Sequence, residues 1–263
     1  MKLRRSLPLT GVSLAAGLSF AATALAAGAA LPVRGHAAGA PRPLLTHVTD
    51  SAPPVSVRVE GATRTLLDAR AVTAPSSGSI TKGGTPAGAC PADSAAGALG
   101  RATHGRWNGT YYKGLGIEVT TILGRRLDAR RSYWELFVDD RTATKGICET
   151  KLRRGESLLF AAVPTKGRPE LPIVVRAPRT ARIGRPFLVR AFVYTGKGNA
   201  TRAVRGLRAD WRTAGHLRVS DARTGRPGEL RVTFHGAGSP RATLVVSAKG
   251  EIRSAPATIR VVR

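Results

Sequence analysis

Cysteine is nearly absent from this chain of 263 residues. The two present, Cys90 and Cys148, have no paired histidines and are too few for a structural zinc site. Aromatic residues are sparse at 5%; with a 42% hydrophobic content they permit folded cores but not unusually large ones. Acids are heavily outnumbered, 16 Asp and Glu against 42 Lys and Arg. No carboxylate pair stands out for acid–base work. Asp139-Asp140 falls short of the roughly six to eight oxygens calcium takes and reads as hairpin-turn chemistry. Beyond the N-terminal region no apolar run is long enough to span a bilayer. The Gly-x-Ser-x-Gly, Gly-x-x-x-x-Gly-Lys and His-Glu-x-x-His patterns are missing. The five histidines, His36, His47, His104, His216 and His235, are scattered. These absences argue against an enzyme, and no catalytic residue, metal ligand or cofactor is assigned.

The N-terminus carries a targeting pattern instead. Lys2, Arg4 and Arg5 precede an Ala-rich apolar run from Leu7 to Ala26, which ends in the small-x-small motif Ala24-Leu25-Ala26. This reads as a secretory signal peptide over residues 1–26. The competing reading is an uncleaved anchor, because the apolar run continues to Leu31. Export and an even cysteine number favour a Cys90–Cys148 disulfide over two free thiols. The formal charge is +26, and loss of the three basic residues of the leader leaves +23. Such a charge attracts anionic lipid, acidic wall polymers or nucleic acid. Export disfavours nucleic acid, and so does the lack of basic runs interleaved with aromatics. The plainer alternative is solvated surface charge without a partner.

Residues 27–54 are rich in Ala, Gly, Pro and Arg without periodicity and read as a flexible tether. Val55, Val57 and Val59 alternate in a strand, and Thr65-Leu66-Leu67 begins the next. Asp93 or Ser94 is placed to cap a helix whose Ala95, Ala98, Leu99 and Ala102 share one narrow face, with Gly105 as its C-terminal cap. Gly116 to Leu123 reads as a strand. A three-stranded meander is expected from Ser132 to Phe160: Trp134, Leu136 and Val138 on one face of its first strand, a second strand through Ile147 and Cys148, and a third from Leu158. One helix with five or six strands predicts a small α+β domain. From residue 172 to 263, about seven short strands with turn signals between them predict an all-β, Ig-like sandwich.

A Cys–helix segment, then Trp107, Gly116-Ile-Glu-Val-Thr-Thr-Ile-Leu-Gly124, Tyr133-Trp-Glu-Leu-Phe-Val-Asp139, Gly146-Ile-Cys148 and Leu152-x-x-Gly155-Glu156-x-Leu-x-Phe160 make a recognisable series. It resembles the C-terminal β-domain of transcobalamin and intrinsic factor, a family similar to β-grasp modules that bind soluble ligands. The resemblance covers residues 55 to about 164 and implies a β-grasp-like α+β fold with a ligand-binding habit. In the vertebrate carriers this domain closes over a corrinoid held mainly by a helical domain, for which this chain has no room. Pro178 to Val189 resembles bacterial Ig-like surface modules.

The resulting expectation is a signal peptide (1–26), a tether (27–54), a β-grasp-like domain (55–164) and an Ig-like sandwich (172–263). The aromatic residues Trp107, Tyr111, Tyr112, Tyr133 and Trp134 are the candidate ligand-binding set, suited to a flat ligand if they gather at one rim. Trp134 is equally well read as core, and Tyr111 and Tyr112 as loop residues. The function expected is that of an exported, cell-surface-associated, non-enzymatic binding protein, recognising a soluble ligand or surface partner with the sandwich as spacer. The alternative is a cationic envelope protein that contacts anionic polymers.

Overall fold

The computed structural model describes residues 52–196, 199–236 and 238–263. The expected signal peptide and all but the end of the tether lie outside the described residues. Within them the chain forms two lobes.

The first lobe begins with the antiparallel hairpin of β1 (Pro54–Glu60) and β2 (Thr65–Thr73). The helix α1 (Ala95–Ala102) follows, and then β3 (Trp107–Tyr112), β4 (Gly116–Ile122), β5 (Arg125–Arg126), β6 (Ser132–Val138), β7 (Arg141–Thr142) and β8 (Ser157–Pro164). These strands make two sheets. One has the order β2-β1-β8-β6-β7, with β1 and β8 parallel; the other is the antiparallel β3-β4-β5.

The expected α+β β-grasp-like fold is therefore not what this lobe adopts. Two features account for the difference. First, α1 has eight residues, little more than two turns, which is too short to cover the face of a sheet. Gly97 lies on its buried side, where a Cβ would fall 1.8 Å from the Ala92 carbonyl oxygen. Second, β3 and β4 pair with each other and not with the five-stranded sheet, so the lobe is almost entirely β, in two layers. Val57, Val59, Trp134, Leu136, Leu158 and Phe160 face α1 and the small sheet across one core.

The meander is also different from expectation. Asp139 and Asp140 both take positive φ, 49° and 60°, so the hairpin turns at once and β7 is only two residues long. Ile147 and Cys148 then lie in a turn, not a strand, and β6 pairs directly with β8. That turn has a different task. The carbonyls of Ile147 and Thr150 accept from the N–H groups of Ala96 and Ala95 at the open end of α1. Backbone groups thus satisfy orphan donors that the sequence assigned to a side-chain cap. Ser94 makes no such cap, and its hydroxyl donates to the Pro91 carbonyl at 2.5 Å. The Cys90–Cys148 disulfide, with Cα atoms 4.7 Å apart, fastens the same turn to the segment before the helix.

The second lobe is an all-β sandwich compatible with an Ig-like fold. Its strands are β9 (Val174–Arg176), β10 (Thr180–Arg182), β11 (Phe187–Tyr194), β12 (Thr201–Ala203), β13 (Arg208–Gly215), β14 (Arg218–Arg223), β15 (Glu229–His235), β16 (Gly238–Ser247) and β17 (Ala257–Val262). One sheet runs β10-β17-β16-β13. In the other, β12, β11, β15 and β14 follow in order and β9 pairs the far edge of β11. Val189, Val193, Val232, Phe234, Leu244, Val246 and Ile259 meet between the sheets. Phe234 holds Phe187 and Trp211 at ring distances of 5.2 and 5.7 Å.

The lobes share buried surface. Strand alternation places Phe137, Leu159, Ala161 and Val163 on the side of the five-stranded sheet away from its core. That side is covered by Ile252 of the β16–β17 loop and by Leu171. Beside them Arg58 and Glu60, 5% and 2% exposed, pair with each other at 2.8 Å; Glu60 also pairs with the Arg253 guanidinium of the second lobe at 2.6 Å, and Arg58 donates to the Arg253 carbonyl at 3.0 Å. Arg141 of the β7 hairpin lies over the Tyr194 ring at 3.7 Å and donates to the Asn199 side-chain oxygen.

Candidate anion-binding cleft

The aromatic set does not form one rim. Trp107 opens β3 and is 3% exposed; Trp134 on β6 is 8% exposed, and both belong to the core of the first lobe. Tyr111 is half-buried against that core. Tyr112 and Tyr133 are exposed, on different sheets. Trp107 and Tyr112 stand at opposite ends of β3, about 17 Å apart along the strand. The Tyr133 hydroxyl donates to Glu135 on its own strand; burial first, and then this bond, raise its pKa. Glu135 is itself raised by burial, partly offset by the tyrosine. The strand period that alternates Tyr133 with Trp134 also puts them on opposite faces of β6. A shared site would need a bulge that β6 does not have.

A different set of side chains converges on the second lobe. The segment joining the lobes carries Arg168, β12 carries Arg202, the loop after it Arg205, and the β16–β17 turn Lys249 and Glu251. Together they line a cleft of about 580 Å³. Each is held there for a local reason. Gly250, at φ 74°, turns the chain so that Lys249 and Glu251 project beside each other. Pro172 and Ile252 form a bridge, and the Ile252 N–H donates to the Leu171 carbonyl, which lays the joining segment against the turn. Gly228 lets the neighbouring loop close onto β11. A Cβ there would lie 2.5 Å from the Ala191 carbonyl oxygen.

Glu251 organises the cleft. Its side chain is 2% exposed and its Oε1 accepts from the guanidinium groups of both Arg168 and Arg202, the latter at 2.7 Å. Its Oε2 accepts from the Leu171 N–H at 3.3 Å. A buried carboxylate with this many donors is satisfied, and it fixes two long side chains that would otherwise sample many rotamers. Each guanidinium has five N–H donors, so others remain beyond those given to Glu251. Arg205 and Lys249 have no ion-pair partner among the described residues. Four cations against one carboxylate leave a surplus of three positive charges. Glu170 stands nearby, outside the lining; burial, and then the Glu251 charge, raise its pKa. A smaller hollow of about 180 Å³ adjoins the cleft, shares Arg205, and adds Arg223, Arg226 and the carboxylate of Glu229.

The arrangement suits recognition of anions. Guanidinium groups are permanent donors without acceptor capacity and match phosphate and carboxylate oxygens in pairs. Among the described residues no three His, Cys, Asp or Glu side chains gather as a metal ion would require. Little in the order of residues announces this cleft. Its four cations come from three separated segments, and Thr201-Arg-Ala-Val-Arg205 is the one local pairing among them. No family model matches the chain, and no curated protein matches it.

Proposed function

We propose that this is an exported, non-enzymatic binding protein that recognises anionic polymers of the cell envelope through the cleft of Arg168, Arg202, Arg205 and Lys249. The observation that carries the reading is the surplus of three positive charges around a buried carboxylate that holds two of the guanidiniums in place. Export is supported by the charged, Ala-rich N-terminal pattern and by the Cys90–Cys148 disulfide, a bond that persists in oxidising compartments. The interface between the lobes supports a stiff body that presents the cleft at a fixed place. An aromatic rim for a flat soluble ligand has less behind it, because Trp107 and Trp134 contribute to the core.

The test is binding of long-chain polyphosphate and of polyglutamate to the chain without residues 1–26, by calorimetry near physiological salt. Arg205→Ser with Lys249→Ser removes two charges that have no ion-pair partner among the described residues and leaves the Glu251 network intact. The expected result is a loss of about tenfold or more in affinity for the preferred polymer, with an unchanged melting temperature. Equal affinity of the double variant and the parent rejects the cleft.

A further inference from the structure

We infer a second oxyanion site, on the first lobe, at the C-terminal end of α1. Arg64 and Arg70 from the β1–β2 hairpin, and His104 and Arg106 from the turn after the helix, line a cleft of about 400 Å³. No carboxylate is among its lining residues. The neighbouring cleft at the seam between the lobes shares Arg64 with it but differs in character, because Glu60, Asp68 and Asp210 stand among its arginines.

The turn that builds this site is strained. Thr103 ends the helix, His104 follows at φ 51° and Gly105 at φ 72°. The His104 N–H donates to the Arg101 carbonyl and the Gly105 N–H to the Gly100 carbonyl, so the chain folds back over the last helical turn. In this kind of ending the first left-handed residue is normally glycine, sometimes asparagine. Histidine there carries the cost of a Cβ in the left-handed region. The expected cap, Gly105, is one residue too late, and a side chain occupies the position that favours having none.

What that side chain does is set by Arg70. One guanidinium nitrogen of Arg70 donates to the Ala102 carbonyl at 3.1 Å and lies 3.2 Å from His104 Nε2. A guanidinium only donates, so Nε2 supplies its lone pair and Nδ1 carries the ring proton. The strained residue therefore adds an N–H donor to a cleft of three guanidiniums. Arg64 and Arg106 have no side-chain partner among the described residues. Three permanent charges and a histidine donor, with no acid among the lining residues and with more room than one tetrahedral oxyanion fills, fit a diphosphate or a longer phosphate chain. Strain kept at such a point is what a binding site retains against stability.

Calorimetry with pyrophosphate on the chain without residues 1–26 reads both clefts at once. The parent should bind two equivalents. Arg64→Ser with Arg106→Ser should lose one, with that site weakened about tenfold or more. Arg205→Ser with Lys249→Ser should lose the other. His104→Gly should melt at a higher temperature and yet bind several-fold more weakly at the first-lobe site. Competition by long-chain polyphosphate identifies a polymer-borne phosphate as the ligand, and pyrophosphate binding without competition identifies a free one. Unchanged stoichiometry and affinity in Arg64→Ser with Arg106→Ser overturn the second site, even if the sandwich cleft behaves as expected. A His104→Gly variant that gains stability without losing affinity overturns the role of the histidine.

Discussion

Substituting Arg253 by alanine tests whether the lobes are one mechanical body. Glu60 is 2% exposed and its carboxylate is fully engaged. Oε1 accepts from Arg58 at 2.8 Å and from the Thr65 hydroxyl at 2.9 Å, and Oε2 accepts twice from Arg253, at 3.1 and 2.6 Å. Burial lowers the pKa of Arg58, and Glu60 pulls it back up, so each charge tolerates its position because of the other. Arg253→Ala strips Oε2 of both its side-chain donors. Removing one partner of a buried pair costs about 3–5 kcal/mol. Arg58 stays in place, so the lower end, about 3 kcal/mol, is the expected value. In urea that moves the midpoint down by about 1 M for a slope of roughly 2–3 kcal/mol/M. The three tryptophans allow each lobe to be followed: Trp107 and Trp134 in the first, Trp211 in the sandwich. Versions that keep either Trp134 or Trp211 should unfold at the same midpoint, and that midpoint should fall together in the variant. Replacing Arg58, Glu60 and Arg253 jointly by Met, Leu and Met should cost less than Arg253→Ala alone, because no member of the buried trio is left unpaired. A loss below about 0.5 kcal/mol for Arg253→Ala, or separate midpoints for the two reporters in the parent, would refute the coupling.

Three further outcomes follow from the first lobe. Cys148→Ala should cost about 2–5 kcal/mol in reversible unfolding, because the bond spans 58 residues and anchors the turn that caps α1. Asp140→Asn should raise the melting temperature at pH 7. Burial lifts the Asp140 pKa above its ordinary 3.8, ahead of an opposing pull from Arg58. Its contribution to stability is therefore complete below the ordinary value and is lost as pH rises through the folded one, so the gain from asparagine should vanish in melts below about pH 3.8. Trp107→Ala should destabilise by about 3–5 kcal/mol, whereas Tyr112→Ala should change stability by no more than about 0.5 kcal/mol, both by urea titration.

The strands and the one helix were legible wherever local pattern decides them. The alternation in Phe187–Tyr194 marks β11 to the residue, and Ala95, Ala98, Leu99 and Ala102 mark α1. The Cys90–Cys148 pairing was legible from the even cysteine number together with the expected export. The α+β expectation failed because pattern does not reveal which strands pair. Nothing local in Trp107–Tyr112 says that it joins β4 in a sheet of its own. The strand assigned to Ile147 and Cys148 failed because their burial comes from covering the end of α1. Phe137, Arg58 and Glu60 looked like an outward face, since alternation names two faces without saying that a second lobe covers one of them. The arginines of both clefts were visible as charge, but their convergence depends on turns such as Lys249-Gly-Glu251 and His104-Gly105.

The most direct measurement is the salt dependence of polyphosphate binding, in the parent and in Arg205→Ser with Lys249→Ser. Binding through fixed cations releases counterions, so the logarithm of affinity should fall linearly with the logarithm of salt concentration. The expected result is a steep slope in the parent that becomes shallower by more than one unit, together with weaker binding, when the two cations are removed. A parent affinity that does not respond to salt, or a double variant with the parent's slope, means that the basic cleft of the second lobe is not where anions bind.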